Sequence, residues 1–407
     1  MQTFLVGGAV RDRLLGLTVR ERDWVVVGAT EAELEQLGYR RVGRSFPVFL
    51  HPETREEYAM ARTETKHGPG YRGFDIEANP QVTLEDDLAR RDLTINAIAE
   101  DADGKLIDPY HGRQDLDARV LRHVTDAFRE DPVRILRVAR FAARFAEQGF
   151  TVADETLALI RDMVAAGEAD ALVPERIWRE TERALETTRP DIFFRVLRAG
   201  GALAVIYPEI DALFGVPQPE RWHPEIDTGV HVLMALEQAA RLGASLRARF
   251  AVMVHDLGKG TTPAAEWPHH RAHEERSVML LEVLCKRIGV PGRCRELAIP
   301  VARYHGVCHR AAELRPKTLL KILDALDAFR RPERLDDFLI ACEADARGRK
   351  GLEATPYPQA DIFRAARAAA IEVTAERFVR DGIEGPAIGE SIRRERITVI
   401  GKALRSG

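Results

Sequence analysis

The chain has 407 residues, of which 45% are hydrophobic and 30% charged, and its formal net charge is −4. This length allows more than one hydrophobic core, and no apolar run reaches the roughly 18 residues that a membrane-spanning helix needs. The apolar stretch near the N-terminus is too short for a signal peptide, so we expect a cytoplasmic protein with no membrane partner. The four cysteines are widely spaced and predict neither a zinc cluster nor a disulfide framework.

The predicted elements divide the chain into parts. Short strand-like runs (FLVGG, WVVVG, PVFLH and YAMAR) alternate with helical stretches as far as Glu100, which is typical of a small α+β domain with a mixed sheet. Beyond about Asp126 the strand pattern ends, and apolar residues recur at the spacing of amphipathic helices. We therefore expect an α+β head with the start of a neck at 1–140, a helical neck and body at 141–222, a histidine-rich helical domain at 223–350 and a helical tail at 351–407.

The segment LVGGAVRDRLLG indicates a nucleotide site. Gly7 and Gly8 follow an apolar strand and precede a helix, where glycine lets the backbone approach a phosphate chain. Glu21 and Asp23 are two residues apart, so in an extended strand both carboxylates lie on one face and can hold Mg²⁺ for nucleotidyl transfer. Each motif alone also fits a glycine turn beside a solvated acidic strand.

Two arginine-rich motifs follow. The first is RRD at Arg90 to Asp92, and the second is a helix after Asp131 whose arginines recur every three residues. That spacing produces a slowly turning row along one side of a helix, and each guanidinium can bind a phosphate or a base edge with two hydrogen bonds. The alternative is that Asp131 caps the helix and that the arginines are surface charge, favoured by a GC-rich genome.

Taken in this order, the segments resemble the class II tRNA nucleotidyltransferases of the polymerase β superfamily, in particular the bacterial CCA-adding enzymes with an appended HD domain. The resemblance covers nearly the whole chain. It implies addition of the 3′-terminal CCA of tRNA from CTP and ATP with release of pyrophosphate, with Mg²⁺ on Glu21 and Asp23. It also implies that Asp131 and Arg134, of the motif ED-x-x-R, recognise the Watson–Crick edge of the base. The other implied nucleotide contacts are Gly8, Arg11, Arg91, Arg137 and Arg140.

The implied recognition is chemically consistent, but one position departs from the family pattern. Asp131 can accept from the exocyclic amine of cytosine or adenine while Arg134 donates to a ring acceptor, and uracil and guanine present the wrong pattern. The family usually has Asp at both acidic positions, whereas this chain has Glu21. The extra methylene displaces the carboxylate, and Mg²⁺ tolerates displaced ligands poorly. We therefore expect a slower or differently tuned polymerase.

The histidine-rich region carries a second candidate site. His231 is followed, after 23 residues, by the adjacent pair His255 and Asp256. This run resembles the HD phosphohydrolases, whose later Asp matches Asp345, and it implies a divalent metal that activates water. Imidazole ligands suit a transition metal such as Ni²⁺. The implied activities are phosphatase, 2′-nucleotidase and 2′,3′-cyclic phosphodiesterase. We assign no role to five further histidines, which could line a phosphate pocket or extend the metal site, although we expect most of them at surface or capping positions: His269, His270, His273, His305 and His309.

Two other hypotheses stay open. A poly(A) polymerase shares the glycine motif, the acidic pair and RRD, although an HD domain behind the neck favours CCA addition. The chain could also be an RNA-binding phosphohydrolase whose polymerase head is impaired by Glu21. The expected partner is the 3′ acceptor end of tRNA, and the sequence is compatible with a monomer or a homodimer.

Overall fold

The computed structural model describes residues 1–42, 48–66 and 74–406. The chain forms two compact units. The N-terminal unit comprises Met1–Ala184 and Ile192–Ile206, and the C-terminal unit comprises Leu185–Asp191 and Tyr207–Gly407.

The strands lie in the N-terminal unit. In chain order the described strands are β1 (Gln2–Val6), β2 (Asp23–Val27), β3 (Arg40–Val42), β4 (Val48–Leu50), β5 (Glu57–Met60), β6 (Thr63–Lys66), β7 (Phe74–Glu77), β8 (Ala99–Glu100), β9 (Leu106–Ile107), β10 (Val120–Leu121) and β11 (Thr151–Val152). Seven of them form a mixed sheet in the order β3-β4-β5-β2-β1-β8-β9. Strands β2 and β5 are parallel, and the other neighbours in this sheet are antiparallel.

The sheet follows the sequence pattern closely. The four strand-like runs form β1, β2, β4 and β5, and Val6, Val25 and Leu88 are buried in one of its cores. One prediction was wrong in detail, since β11 lies beyond Asp126 and pairs in parallel with β10. A two-residue strand held by backbone hydrogen bonds carries too short a pattern to be recognised from sequence.

Nine helices accompany these strands among the described residues. They are α1 (Gly8–Leu14), α2 (Glu31–Gln36), α3 (Leu84–Ala89), α4 (Gly112–Ala118), α5 (Val133–Arg144), α6 (Asp154–Ala165), α7 (Pro174–Leu185), α8 (Pro190–Ala199) and α9 (Ala202–Ile206). The amphipathic pattern predicted α5, α6 and α7, and these predictions are confirmed. Helix α3 starts at a capping box in which Thr83 accepts from Asp86 N–H and the Asp86 carboxylate accepts from Thr83 N–H.

The described part of the C-terminal unit is built from helices. They are α10 (Pro208–Asp211), α11 (Thr228–Arg241), α12 (Leu246–Val254), α13 (His273–Arg287), α14 (Gly292–Cys308), α15 (Pro316–Ala325), α16 (Pro332–Arg347), α17 (Gln359–Ile371), α18 (Ala375–Arg380) and α19 (Pro386–Ser406). Helices α11, α12, α14 and α16 pack against one another, α13 packs on α14, and α19 packs on α17. None of the helices described is long and apolar enough to cross a bilayer. The four cysteines are buried free thiols.

Two close approaches fix the packing around the histidines. A Cβ on Gly348, just after α16, would lie 2.5 Å from the Ala235 Cα of α11. A Cβ on Gly258, in the turn after α12, would lie 2.1 Å from the backbone oxygen of His273 on α13. Only glycine permits such contacts. They bring the ends of α16 and α12 against α11 and α13.

Candidate nucleotide and metal sites

The glycine motif turns the chain from β1 into α1. Gly7 has a φ of 68°, and a Cβ on it would lie 2.8 Å from Nη1 of Arg91. Glycine meets both requirements, a left-handed backbone and room for the arginine. Gly8 opens α1, and a Cβ on it would lie 3.5 Å from Nη2 of Arg11. Arg91, the second arginine of RRD, therefore lies directly over the turn.

The acidic pair lies beside this turn. Asp23 is the first residue of β2 and is opposite Val6 in the sheet, whereas Glu21 precedes the strand by two residues. The expectation that both residues lie in one strand is therefore wrong for Glu21, because β2 begins at Asp23. Partial desolvation by neighbouring atoms raises the pKa of Asp23, Arg91 opposes this, and the nearby Glu21 raises it further. Both residues are solvent-exposed, and two carboxylates that repel each other fit a hard divalent cation.

The two arginines of RRD share one buried carboxylate. Asp87 lies 2.6 Å from Nη2 of Arg90 and 3.1 Å from Nη2 of Arg91. Burial opposes ionisation of Asp87, but the two guanidinium groups lower its pKa. Asp87 therefore holds Arg91 in place between Gly7 and the acidic pair.

Asp92, the aspartate of RRD, accepts hydrogen bonds from several segments of the N-terminal unit. The Asp92 carboxylate accepts from Arg137 Nε at 2.6 Å, from Asn96 Nδ2 at 2.8 Å and from the Leu93 N–H at 2.9 Å. Burial raises the pKa of Asp92, but Arg137 and Asn96 outweigh it and the net shift is downward. Asp92 thus ties the RRD segment to α5.

Arg11 faces the interior of the unit. Its Nη2 lies 2.7 Å from Asp12, its Nη1 donates to Asn96, and its guanidinium carbon lies 5.1 Å from the centre of the Phe141 ring. Arg144 holds the other oxygen of Asp12 at 2.8 Å. Burial lowers the pKa of Arg11, against the effect of Asp12. Arg11 is only 3% exposed, so here it connects α1 with α5.

The three arginines of the row on α5 are all paired, and two of them, Arg134 and Arg140, are buried. Arg134 donates to the Ala127 carbonyl at 2.5 Å, and Arg140 donates to Glu180 at 2.5 Å. Arg137 bonds Asp92, as described above. The alternative that these are merely surface charges is wrong for Arg134 and Arg140, which are 7% and 8% exposed.

The Asp131 carboxylate forms a bidentate ion pair with Arg176, which the sequence did not reveal. Arg176 donates from Nη1 to one oxygen at 2.9 Å and from Nη2 to the other at 2.6 Å. The Val133 N–H also donates to Asp131 at 3.1 Å, as in a helix cap. The carboxylate is therefore fixed in direction at the start of α5, next to Arg134 in sequence.

Several supporting residues of this site were missed at the sequence level: Asp87, Asn96, Arg144, Arg176 and Glu180. Asn96 had a local signal, since it follows Asp92 by four residues. Arg176 and Glu180 lie on α7, far from α5 in sequence, and no pattern within either helix indicates the pairing.

In the C-terminal unit the four predicted metal ligands converge. His231 Nε2 lies 2.9 Å from Asp345 Oδ1, and His255 Nε2 lies 3.2 Å from Asp256 Oδ2 and 3.6 Å from Asp345 Oδ1. All four residues are at most 4% exposed. Burial lowers the pKa of His255, but the two carboxylates raise it to about 10. The two carboxylates therefore favour a positive charge on or between the histidines, which either a proton or a metal ion can supply.

The donor atoms of this cluster fit a metal ion. His255 Nε2 and Asp256 Oδ1 are buried and make no hydrogen bond to the part of the chain that the structure describes. Such orphaned atoms are rare in native proteins, and here they belong to the adjacent His-Asp pair. The Nδ1 of His255 is bonded to the Val252 carbonyl at 2.7 Å, so in the neutral ring Nε2 carries the lone pair that a metal ion would use. Lys259 Nζ also lies 2.7 Å from Asp256 Oδ2 and partly balances its charge.

Further residues surround these four. Glu225 Oε1 lies 2.9 Å from His231 Nδ1, and His309 Nε2 lies 2.7 Å from Asp345 Oδ2. The expectation that most of the five unassigned histidines lie at surface or capping positions was wrong, because His273, His305 and His309 all contact Asp256 or Asp345. Their distance in sequence from the His-Asp pair concealed this.

Comparison with known families agrees with the two sites. The poly A polymerase head domain matches residues 3–122, the probable RNA and SrmB-binding site of polymerase A matches 149–214, and the HD domain matches 228–331. The fold and the sites therefore define a nucleotidyltransferase joined to an HD domain, and both domains imply dependence on divalent metal ions. The multifunctional CCA protein of Thioalkalivibrio sulfidiphilus (strain HL-EbGR7) is 65% identical over 98% of each chain. This chain belongs to the family of multifunctional CCA proteins.

Solved structures share the fold. A CCA-adding enzyme with CTP has a TM-score of 0.64 and 20% identity, covering 98% of this chain and 87% of that one. The Thermotoga maritima CCA-adding enzyme complexed with tRNA-CCA has a TM-score of 0.59 and 19% identity, covering 100% and 92%. The prediction of an α+β nucleotidyltransferase head followed by helical parts is confirmed.

Proposed function

We propose that the chain adds and repairs the 3′-terminal CCA of tRNA from CTP and ATP, releasing pyrophosphate, and that its HD domain hydrolyses phosphate esters in the cytoplasm. The observation that carries the first activity is the grouping of Gly7, Arg91 and Asp23 at one turn. The glycine leaves room for a phosphate chain, the arginine supplies charge, and the carboxylate lies where a metal is needed. We assign the activities to the predicted regions: nucleotidyl transfer to 1–140 and hydrolysis to 223–350. Residues 141–222 form the neck and body, and 351–407 form a helical tail.

In nucleotidyl transfer the acidic pair would hold Mg²⁺, which activates the 3′-hydroxyl of tRNA and neutralises the pyrophosphate. Arg91, fixed by Asp87 and passing over Gly7, is placed to contact the phosphates of the nucleotide. Gly8 supplies the close backbone approach next to it. Glu21 has a longer side chain than Asp, and it lies two residues before the start of β2.

Base selection would fall to Asp131 and Arg134. Arg176 occupies one lone pair on each Asp131 oxygen, and the Val133 N–H takes a second on Oδ1. Oδ2 therefore keeps one lone pair to accept from the amine of cytosine or adenine. Arg137 and Arg140 continue the row along α5, where their pairing with Asp92 and Glu180 fixes their orientation. Arg11 joins α1 to α5 and so helps to hold α5, which carries these arginines, in position.

In the HD domain, His231, His255, Asp256 and Asp345 would hold a divalent transition metal such as Ni²⁺, because two imidazoles and two carboxylates suit such ions. The metal supplies a nucleophilic water at neutral pH. Glu225 lies 2.9 Å from His231 Nδ1 and would orient the ring so that Nε2 is available as a metal ligand. The substrates by family resemblance are 2′,3′-cyclic phosphates, 2′-nucleotides and phosphate monoesters.

The decisive test supplies CTP alone, then ATP alone, to the purified protein with Mg²⁺ and a tRNA that ends at the discriminator base. The proposal expects addition of two C residues from CTP alone, and no tail from ATP alone. A poly(A) polymerase would instead extend the tRNA from ATP and ignore CTP. An impaired head would incorporate neither nucleotide, and Glu21→Asp would then restore incorporation.

A further inference from the structure

The connection between α10 and α11 includes a loop that backbone hydrogen bonds close at its base. Pro217 and Asp227 form an antiparallel bridge, and the Gln218 N–H donates to the Ile226 carbonyl at 2.7 Å. Ile226 has a φ of 63°, in the left-handed region that a β-branched residue rarely adopts. Backbone strain of this kind is concentrated at functional sites. We call this segment the 217–227 loop.

The inner side of the 217–227 loop lies against the histidine–aspartate site. The rings of His223 and His231 meet edge to face, with their centres 4.6 Å apart. Glu225 Oε1 lies 3.0 Å from His223 Nδ1 and 2.9 Å from His231 Nδ1. Gln218 Oε1 accepts a hydrogen bond from Lys259 Nζ at 2.6 Å. The loop is therefore fixed in position by residues of that site and its surroundings.

Solvent reaches the histidine–aspartate site beside this loop. The four proposed metal ligands are at most 4% exposed, but three histidines next to them have side chains that are 15%, 15% and 20% exposed: His223, His273 and His309. His223 belongs to the 217–227 loop. A substrate that approaches the ligands from solvent therefore passes next to this loop.

The outer side of the loop presents an indole ring. Trp222 directly precedes His223 in the chain, and it is 56% exposed. The guanidinium carbon of Arg221 lies over the Trp222 ring, 4.8 Å from its centre. Such a cation–π contact holds the indole in one orientation and adds positive charge beside it. The exposed part of the ring is open to a planar group.

We propose that Trp222 stacks on the nucleobase of the phosphate ester that the histidine–aspartate site hydrolyses. A nucleotide joins a planar aromatic ring to a phosphate, and this surface offers an indole beside a metal-binding cluster. Every base has a π-face, so the stacking tolerates any of them. The inference rests on the HD activity proposed above and specifies its substrate class, a nucleotide or the end of an RNA chain rather than a simple phosphate ester.

Two cyclic phosphates that differ in the base test this role. The full-length protein with Ni²⁺ is assayed on adenosine 2′,3′-cyclic phosphate and on glycerol 1,2-cyclic phosphate, which has the same reacting group but no base. The variants are Trp222→Ala, which removes the ring, and Trp222→Phe, which keeps an aromatic face. The matched control is Met279→Ala, because Met279 is an apolar residue on α13 that is 60% exposed.

Trp222→Ala should raise KM for the adenosine ester about tenfold and leave kcat within about twofold, because stacking stabilises the bound substrate and the transition state equally. For the glycerol ester, kcat/KM should change by less than about twofold. Trp222→Phe and Met279→Ala should stay within about threefold of the wild type on both esters. An unchanged KM in Trp222→Ala would overturn the proposal. An equal loss on both esters would also overturn it, because Trp222 would then only support the site.

Fluorescence separates base binding from hydrolysis. Adenosine 2′-phosphate should quench part of the tryptophan emission of the wild type and of Met279→Ala, and Trp222→Phe should lack that part. The remaining tryptophans contribute equally to all three proteins. If this quenching is present but the wild type hydrolyses neither ester, the HD activity is rejected and the base site stands. If the quenching is the same in Trp222→Phe as in the wild type, the base site is refuted whatever the hydrolysis shows.

Discussion

Asp92 illustrates how single residues organise the nucleotide site without being exposed to solvent. Its carboxylate accepts hydrogen bonds from Arg137, Asn96 and a backbone N–H, and the Asn96 side-chain oxygen in turn accepts one from Arg11. Through these bonds one carboxylate sets the position of α5 relative to the RRD segment and α1. Its role is therefore one of positioning, and its loss should be visible in stability as well as in nucleotide use.

Asp92→Asn should destabilise the N-terminal unit by about 1–2 kcal/mol at pH 7, because Arg137 loses its counter-charge but keeps access to water. The folded state lowers the pKa of Asp92 below the ordinary 3.8. Its contribution is therefore fully present above pH 3.8 and is lost as pH falls towards the folded value. Hydrogen exchange of α5 measures this, since a protein of two units has no single unfolding free energy.

The control is Asp117→Asn, an exposed carboxylate on α4. The stability difference between the wild type and Asp92→Asn should be constant from neutral pH to about pH 5 and should shrink near pH 3. A difference that is absent at pH 7, or that is unchanged at pH 3, would contradict this account of Asp92.

At the scale of elements, the histidine–aspartate site depends on the packing of the helices that carry its residues. The His-Asp pair lies at the end of α12, Asp345 on α16 and His231 on α11, and these helices pack together in one core. The turn at Gly258 presses on α13, with its N–H donating to Ser277 Oγ at 2.8 Å. Small changes in that packing should therefore move metal ligands rather than unfold the unit.

Gly258→Ala should lower metal content and phosphate-ester hydrolysis at least tenfold, because its Cβ would meet the His273 backbone oxygen at 2.1 Å and push α13 away. CCA addition should stay within about twofold of the wild type. Gly306→Ala is the control, since a Cβ there has only the Glu274 carboxylate at 3.8 Å. Metal content and hydrolysis that are equal in both variants would show that the turn does not position the site.

The elements themselves were largely readable from the sequence. Strands β1 and β2 and helices α5 to α7 follow from apolar spacing, and the glycine motif marked the turn that carries Arg91. What could not be predicted are contacts between distant segments, such as Arg176 with Asp131 or His305 with Asp256. Such pairings depend on how helices pack, and a polar residue on a helix shows no periodic sign of its partner.

On the scale of the whole molecule, one chain carries two sites that use different ligand chemistry. The acidic pair consists of exposed carboxylates near a glycine turn, whereas the histidine–aspartate site is buried among helices. Each site lies within one of the two compact units, and no described residue is shared between them. The two activities should therefore be separable by substitution.

The most direct measurement assays both activities in three proteins prepared side by side: the wild type, Asp23→Asn and His255→Ala. Labelled CTP and ATP report CCA addition to tRNA lacking its terminus, and a 2′,3′-cyclic nucleotide reports hydrolysis. We expect Asp23→Asn to lose CCA addition by about 10³-fold or more while hydrolysis is kept, because it loses a metal ligand. His255→Ala should show the reverse. Loss of both activities in either variant, with the protein still folded, would contradict the division into two independent sites.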